Sequence, residues 1–299
     1  MKPKVLVILG PTSSGKSALA VQLARTFNGE VISADSRQVY RGLTIGTGKI
    51  SKSEMKGVPH HLLDVTSPKR KFSADDYLKR GRAAIEDISS RGKLPIVAGG
   101  TGFYIDALVG RIVLPNVPPN PSFRHLHNNS TTVELLCMLE KVDSERARTI
   151  EPDNKRRIIR ALEIAHALGK NPVPKSIIGY DVLWVGIAPP MKELEKKITT
   201  RLLARMKHGM VTEAKRLHAG GLSYKRMEEL GLEYRSLARL LQGTITRKQM
   251  IEELNRAIRK YAKRQITYWK RNKDIQWFEK PRAQSISKEI RALLKTQNA

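Results

Sequence analysis

The chain has 299 residues, 40% of them hydrophobic, with 55 Lys and Arg against 28 Asp and Glu, a formal charge of +27. That length and composition suit a globular protein with a sizeable core in one large or two smaller domains, and they exclude a membrane-spanning chain, since no apolar run approaches spanning length. The short apolar stretch between Lys4 and Gly10 cannot serve as a secretory leader, and a reducing cytoplasm is the expected setting.

Val5 to Leu9 reads as a buried strand. It runs directly into Gly10, Pro11, Thr12, Ser13, Ser14, Gly15, Lys16 and Ser17, and a helical stretch follows. Strand, glycine loop and helix together form a phosphate cradle: backbone N–H groups and the helix N-terminus converge on an anion, Lys16 adds a point charge, and the Ser17 hydroxyl is a ligand for Mg²⁺. The pattern alone leaves open whether the anion is a diphosphate or a triphosphate.

Further apolar, β-branched runs at Glu30 to Ala34, Leu94 to Ala98 and Val182 to Ile187 alternate with helical stretches, as in a parallel sheet covered on both faces. The proline-rich stretch Leu114 to Pro121 breaks regular structure and marks a boundary. From Ser122 to Lys175 the pattern is helical without a clear strand, closing at Gly169 to Pro174, and after the Trp184 strand it is helical almost to the end. The expected fold is α/β, a P-loop NTPase-like parallel sheet core with a helical insertion domain and a helical C-terminal region. Residues 1–116 open the core, 117–176 form the insertion, and 177–299 complete the core and add basic helices. Cys137, within a leucine-rich helix, is expected in the core.

An ordinary P-loop ATPase places a second carboxylate for Mg²⁺ at the end of a neighbouring strand. Here the best candidate strand ends in Gly99-Gly100-Thr101-Gly102 instead. The acid stands after Ala34, at Asp35, where strand ends in a doubly wound sheet face the ligand crevice. Asp35 also reads as a cap for the backbone that follows it. Composition adds one more demand: a charge of +27 exceeds what solubility needs and expects a polyanion, nucleic acid in preference to membrane because no segment combines an apolar face with lipid-anchor signals.

Six segments in order, Gly10-PTSSGK-Ser17, Ser33-ADSRQVYRGLTIGTGK, Pro59-HHLLDV, Leu94-PIVAGGTGFYI, Arg157-IIRALEI and Tyr261-AKRQITYW, resemble the tRNA dimethylallyltransferases. The resemblance implies that dimethylallyl diphosphate occupies the phosphate loop with Mg²⁺, and that the five-carbon group passes to N6 of adenosine 37 in the tRNA anticodon loop. It assigns Asp35 as the base, with Thr12, Lys16 and Arg201 as further catalytic groups. It also implies that Asp35, Ser36, Arg37, Gln38 and Thr101 line a channel for the extruded base. Further tRNA contacts are implied at Arg124, at Arg156, Arg157, Ile158, Ile159 and Arg160, at Tyr234 and Arg235, and at Lys263, Arg264 and Gln265. The anticodon stem-loop and dimethylallyl diphosphate are the expected partners of a monomeric enzyme.

Pattern supports part of this independently. Ile251, Leu254, Ile258 and Tyr261 follow helical spacing while Arg256, Arg259, Lys260, Lys263 and Arg264 crowd the remaining surface. Tyr268 and Trp269 suit either packing or base stacking. The sequence departs from the family at Leu232-Glu233-Tyr234-Arg235 and at Tyr268, which bears on the grip on tRNA. A P-loop kinase acting on a nucleotide or metabolite shares the cradle and Asp35 but leaves the basic helix without a purpose. His60 and His61, being adjacent, point in different directions and do not suit a shared metal site.

Overall fold

β1 (Lys4–Leu9) offers apolar side chains to both faces of a sheet, and both faces are covered. Val5, Val7 and Leu9 pack with Trp184 and Trp269, whereas Leu6 and Ile8 pack with Leu19 and Leu23 in a separate cluster. The computed structural model describes residues 2–172 and 177–295. It divides into two compact units, 1–110 with 178–299, and 111–177.

In the first unit the chain runs β1, α1 (Lys16–Thr26), β2 (Gly29–Ala34), α2 (Lys52–Met55), β3 (His60–His61), α3 (Ala74–Ser90), β4 (Leu94–Gly99) and α4 (Gly102–Leu108). The second unit holds α5 (Pro121–Leu126), α6 (Thr132–Val142), α7 (Ser144–Thr149) and α8 (Lys155–Leu168). The first unit resumes with β5 (Asp181–Ile187), α9 (Met191–Lys207), α10 (Met210–Ala219), α11 (Tyr224–Leu230), α12 (Leu232–Leu241), α13 (Arg247–Trp269), β6 (Gln276–Phe278) and α14 (Ala283–Lys295).

The six strands are all parallel, in the order β3-β2-β4-β1-β5-β6. Two of them escape sequence pattern. β3 is a pair of histidines, and β6 is three residues at the opposite edge of the sheet, so neither is long enough to show a period of two. Register matters more for the site. Leu9 of β1 and Ala34 of β2 both pair with Gly99 of β4, so three strands end level and release their loops into one crevice. A Cβ on Gly99 would lie 2.1 Å from the Ala34 carbonyl oxygen, which only glycine avoids.

Helices α9 to α13 enclose a further core with Val39, Tyr40 and Leu43. α13 spans 23 residues and begins with a capping box in which the Thr246 hydroxyl accepts the Gln249 N–H. In the second unit Leu135, Leu139, Ile158 and Leu162 form a small helical core. Cys137 is exposed on α6, contrary to expectation: the buried face of that helix goes to Leu135 and Leu139, and Cys137 falls outside it. Pro174 and Lys175, in the expected close of the insertion, lie outside the described residues.

Candidate active site

The phosphate loop turns out of β1 at Gly10, where a Cβ would stand 2.4 Å from the Ile187 carbonyl oxygen. Ser13 and Gly15 take positive φ, of 65° and 92°, and Gly15 caps α1. A non-glycine residue held there is the kind of local strain found where backbone is shaped around a ligand. Lys16 opens the helix, and its Nζ donates to the Pro11 carbonyl at 3.1 Å. Burial draws the Lys16 ammonium down to about 8, with the Asp35 carboxylate opposing and Arg201 adding to the fall.

A cavity of about 360 Å³ opens over the strand ends. Thr12, Lys16 and Ser17 wall it from the phosphate loop, Asp35, Ser36, Arg37 and Gln38 from the end of β2, and Gly99 and Gly100 from β4. Arg201 of α9, Arg235 of α12 and Arg264 of α13 complete a strongly cationic lining. The sequence-predicted catalytic groups Thr12, Lys16, Asp35 and Arg201 thus share one space.

Both readings of Asp35 coexist. Its Oδ1 accepts the N–H groups of Arg37 at 2.8 Å and Gln38 at 3.3 Å, capping the turn that follows β2. Among the described residues no hydrogen bond reaches Oδ2, while the residue itself lines the cavity. Thr101 is tied to this turn, since its Oγ1 accepts the Ser36 N–H at 3.1 Å.

Several groups at the cavity were not singled out from sequence. The loop bearing Thr47 and Gly48 is clamped: Arg201 donates to the Gly48 carbonyl at 2.7 Å, Arg205 donates to that of Gly46 at 2.7 Å, and Glu213 accepts three backbone N–H groups behind it. Tyr261 lines the cavity, and burial, with the Asp35 charge adding, pushes its phenol up to about 12, so it remains a donor. His60 also lines the cavity, held below the usual histidine value chiefly by burial, whereas His61 turns the other way and bonds Glu30 at 2.7 Å. Helical periodicity placed Tyr261 on the packing face of its helix and not at a cavity; nothing local pointed at Glu213, because its backbone partners are more than 160 residues away in sequence.

Ser17, the hydroxyl expected from sequence to meet Mg²⁺, lines the cavity. Among the described residues no group of three or more His, Cys, Asp or Glu side chains forms a cage for a metal. Mg²⁺ retains waters and takes one or two protein oxygens together with phosphate oxygens, and this donor set fits such an ion.

The IPP transferase family model matches residues 38–272. The chain belongs to that family. A tRNA dimethylallyltransferase from Anoxybacillus flavithermus is 39% identical over 285 residues, covering 93% of this chain and 91% of the relative. One from Bacillus subtilis is 36% identical over 288 residues, with 93% and 91% covered. The full-length tRNA isopentenylpyrophosphate transferase from Bacillus halodurans superposes with a TM-score of 0.75 at 34% identity, covering 99% of this chain and 98% of that one. A eukaryotic dimethylallyltransferase acting on tRNA gives 0.83 at 28% identity, covering 97% and 77%.

Within this IPP transferase, the structure removes some expected RNA contacts from the surface. Tyr234 is 1% exposed and donates to Glu213, so its side chain is core. Ile158 belongs to the apolar core of the second unit, and Ile159 packs partly against it. Gln265 is buried between two loops of the site. Trp269 packs near Trp184, settling it as core, while Tyr268 donates to Asp106 and carries the Arg271 guanidinium over its ring. In each case tertiary packing takes up the side chain. Lys263 is exposed on α13. Arg156 and Arg157 are exposed on α8, whereas Arg124 and Arg160 both pair with buried Glu163.

Proposed function

We propose that this IPP transferase moves the dimethylallyl group of dimethylallyl diphosphate to N6 of adenosine 37 in the anticodon loop of tRNA, releasing diphosphate. The observation that carries this reading is the single cavity in which a phosphate loop and a strand-end carboxylate face a common space. Membership of the IPP transferase family supports it over the kinase reading.

The adenine amino group is a weak nucleophile because its lone pair is delocalised into the ring. As the N–C bond forms, the C–O bond to diphosphate breaks with its electron pair, and the N6 proton passes to Asp35 Oδ2. Negative charge grows on the departing diphosphate. The amides of Gly10 to Ser17, the Lys16 ammonium and the Arg201 guanidinium supply fixed positive charge to meet it, in a site that needs no reorganisation at that moment. Ser17 would hold Mg²⁺, and the ion would supply neutralising charge to the leaving group when bound. Thr12, whose residue lines the cavity, hydrogen-bonds the acceptor amine in this reading.

The target base has to leave its stack to reach this depth, at a cost of about a few kcal/mol. Ser36, Arg37, Gln38 and Thr101 then read it, and Arg235, Lys263 and Arg264 hold the RNA backbone of the first unit's substrate surface, with Arg124, Arg156, Arg157 and Arg160 as contacts on the second unit. The reading carries with it a monomeric enzyme acting where tRNA is found, in the cytoplasm. Among the described residues no helix is long and apolar enough to cross a membrane.

The test is mass spectrometry of unmodified tRNA incubated with the protein, dimethylallyl diphosphate and Mg²⁺. The expected product is heavier by one dimethylallyl group at the adenosine next to the anticodon, with one diphosphate released for each transfer. ATP turnover without prenyl transfer would point to a kinase.

A further inference from the structure

Gln265 lies on the inner side of α13, 7% exposed, between loops that leave different strands. Its Oε1 accepts the Thr12 N–H at 2.9 Å, and its Nε2 donates to the Gly100 carbonyl at 2.9 Å. A carboxamide can do both at once, since it carries an acceptor and a donor on one planar group. Gly100 makes the room: a Cβ there would lie 2.1 Å from Gln265 Nε2.

The chain of bonds continues. Thr101, next to Gly100, accepts the Ser36 N–H through its hydroxyl at 3.1 Å, and Ser36 adjoins Asp35. A continuous path of hydrogen bonds and peptide links therefore joins the phosphate loop to the carboxylate.

We infer that Gln265 is a positioning residue that sets the separation between the diphosphate cradle and Asp35, an inference that rests on the prenyl transfer proposed above. The two loops leave β1 and β2, which do not pair directly but flank β4. Strand pairing stops at Leu9, Ala34 and Gly99; just beyond it the Thr101 N–H donates to the Ala34 carbonyl at 3.1 Å and holds the β4 loop to β2, whereas the β1 loop is joined to the β4 loop through Gln265. Displacement at carbon needs nucleophile, carbon and departing oxygen in line, and a misplacement of about 1 Å costs about 100-fold in rate. Gln265 acts through the loops it ties together and does not itself take the proton or the charge.

Two variants test this. In Gln265→Leu both hydrogen bonds are lost, and the single-turnover rate at saturating substrates is expected to fall by about 30- to 100-fold, with the tRNA dissociation constant within about twofold of wild type. In Gln265→Glu an oxygen still accepts the Thr12 N–H, but the other can donate to the Gly100 carbonyl only when the carboxyl is protonated. Its rate relative to wild type is therefore expected to climb as pH is lowered from about 8 to about 6, a dependence that a packing defect would not produce.

A wild-type rate in either variant overturns the inference, as does a flat pH ratio for Gln265→Glu. Loss of tRNA binding with the rate at saturation preserved would instead make Gln265 an RNA contact. Should Gln265→Leu fail to fold, the pH ratio of the glutamate variant decides alone. A wild-type protein that transfers no prenyl group sinks the proposed function; an active wild type with indifferent Gln265 variants sinks only this inference.

Discussion

Tyr234 donates its phenolic hydrogen to Glu213 at 2.7 Å, and the same carboxylate accepts the N–H groups of Thr44 at 3.0 Å, Ile45 at 2.7 Å and Gly46 at 2.9 Å. Burial, with the Glu213 charge adding, holds the phenol well above its ordinary range, so the donor stays protonated. The arrangement anchors the loop that presents Thr47 and Gly48 to the cavity from beneath. The closeness is tight: a Cβ on Gly46 would stand 2.6 Å from the Tyr234 oxygen.

Removing the two partners should therefore have unequal effects. Tyr234→Phe takes away one of four donors and is expected to cost about 1 to 1.5 kcal/mol. Glu213→Ala leaves three backbone N–H groups and a phenol without an acceptor, and is expected to cost about 3 to 5 kcal/mol with a raised donor KM. Denaturant melts of the two variants check the order; equal losses would show that the loop holds without the carboxylate.

Asp35→Asn keeps an oxygen for the Arg37 and Gln38 N–H groups, so the turn after β2 is expected to survive. The variant loses the proton acceptor. Both substrates should bind with wild-type affinity while the rate falls by about 10² to 10⁴. Rapid-quench kinetics decides, and transfer at the wild-type rate would remove Asp35 from the base role.

Lys16 carries a pH signature. Its ammonium is lowered to about 8, so the free protein loses that charge as pH rises through 8, where an unfolded lysine would still be protonated. Affinity for inorganic diphosphate with Mg²⁺ is expected to be level below pH 8 and to weaken above it, approaching about tenfold per pH unit. Folding follows the opposite sign: the folded state binds fewer protons than the unfolded one between about 8 and 10.5, so this residue's penalty to stability is present below pH 8 and relieved as pH rises. Lys16→Met should abolish the pH dependence of binding and raise the melting temperature at neutral pH. Calorimetric titration across pH 7 to 10 measures the first, and a thermal melt at pH 7 the second.

Lys263 stands exposed on the outer side of the helix that buries Gln265. Lys263→Ala is expected to weaken tRNA binding and to reduce the slope of log affinity against log salt by about one, leaving the single-turnover rate at saturation unchanged. Filter binding at several salt concentrations measures it. Identical slopes would mean that no phosphate is neutralised at this position.

The chemistry of the cradle was legible because it is local. Gly10, Gly15 and Lys16 act within one turn of chain, and a strand, loop and helix that follow each other in sequence must also follow each other in space. The four central strands were legible for a similar reason, since a strand covered on both faces declares itself as an apolar run. β3 and β6 were not, because two or three residues at a sheet edge carry no period.

What sequence alone determined about this protein was therefore an inventory: a phosphate loop, an acid at the end of a strand, a basic helix and six family segments in order. The tertiary structure decided how those parts are spent. The family resemblance made Tyr234 and Gln265 equals of Arg235 and Arg264 as candidates for RNA, yet the side chains of the first pair are buried against Glu213, Thr12 and Gly100 while the second pair offers guanidinium groups to the cavity. Helical spacing tells which residues share a face, but the partners of that face lie elsewhere in the chain, on another helix for Tyr234 and on loops more than a hundred residues distant for Gln265, and only the folded chain brings them together.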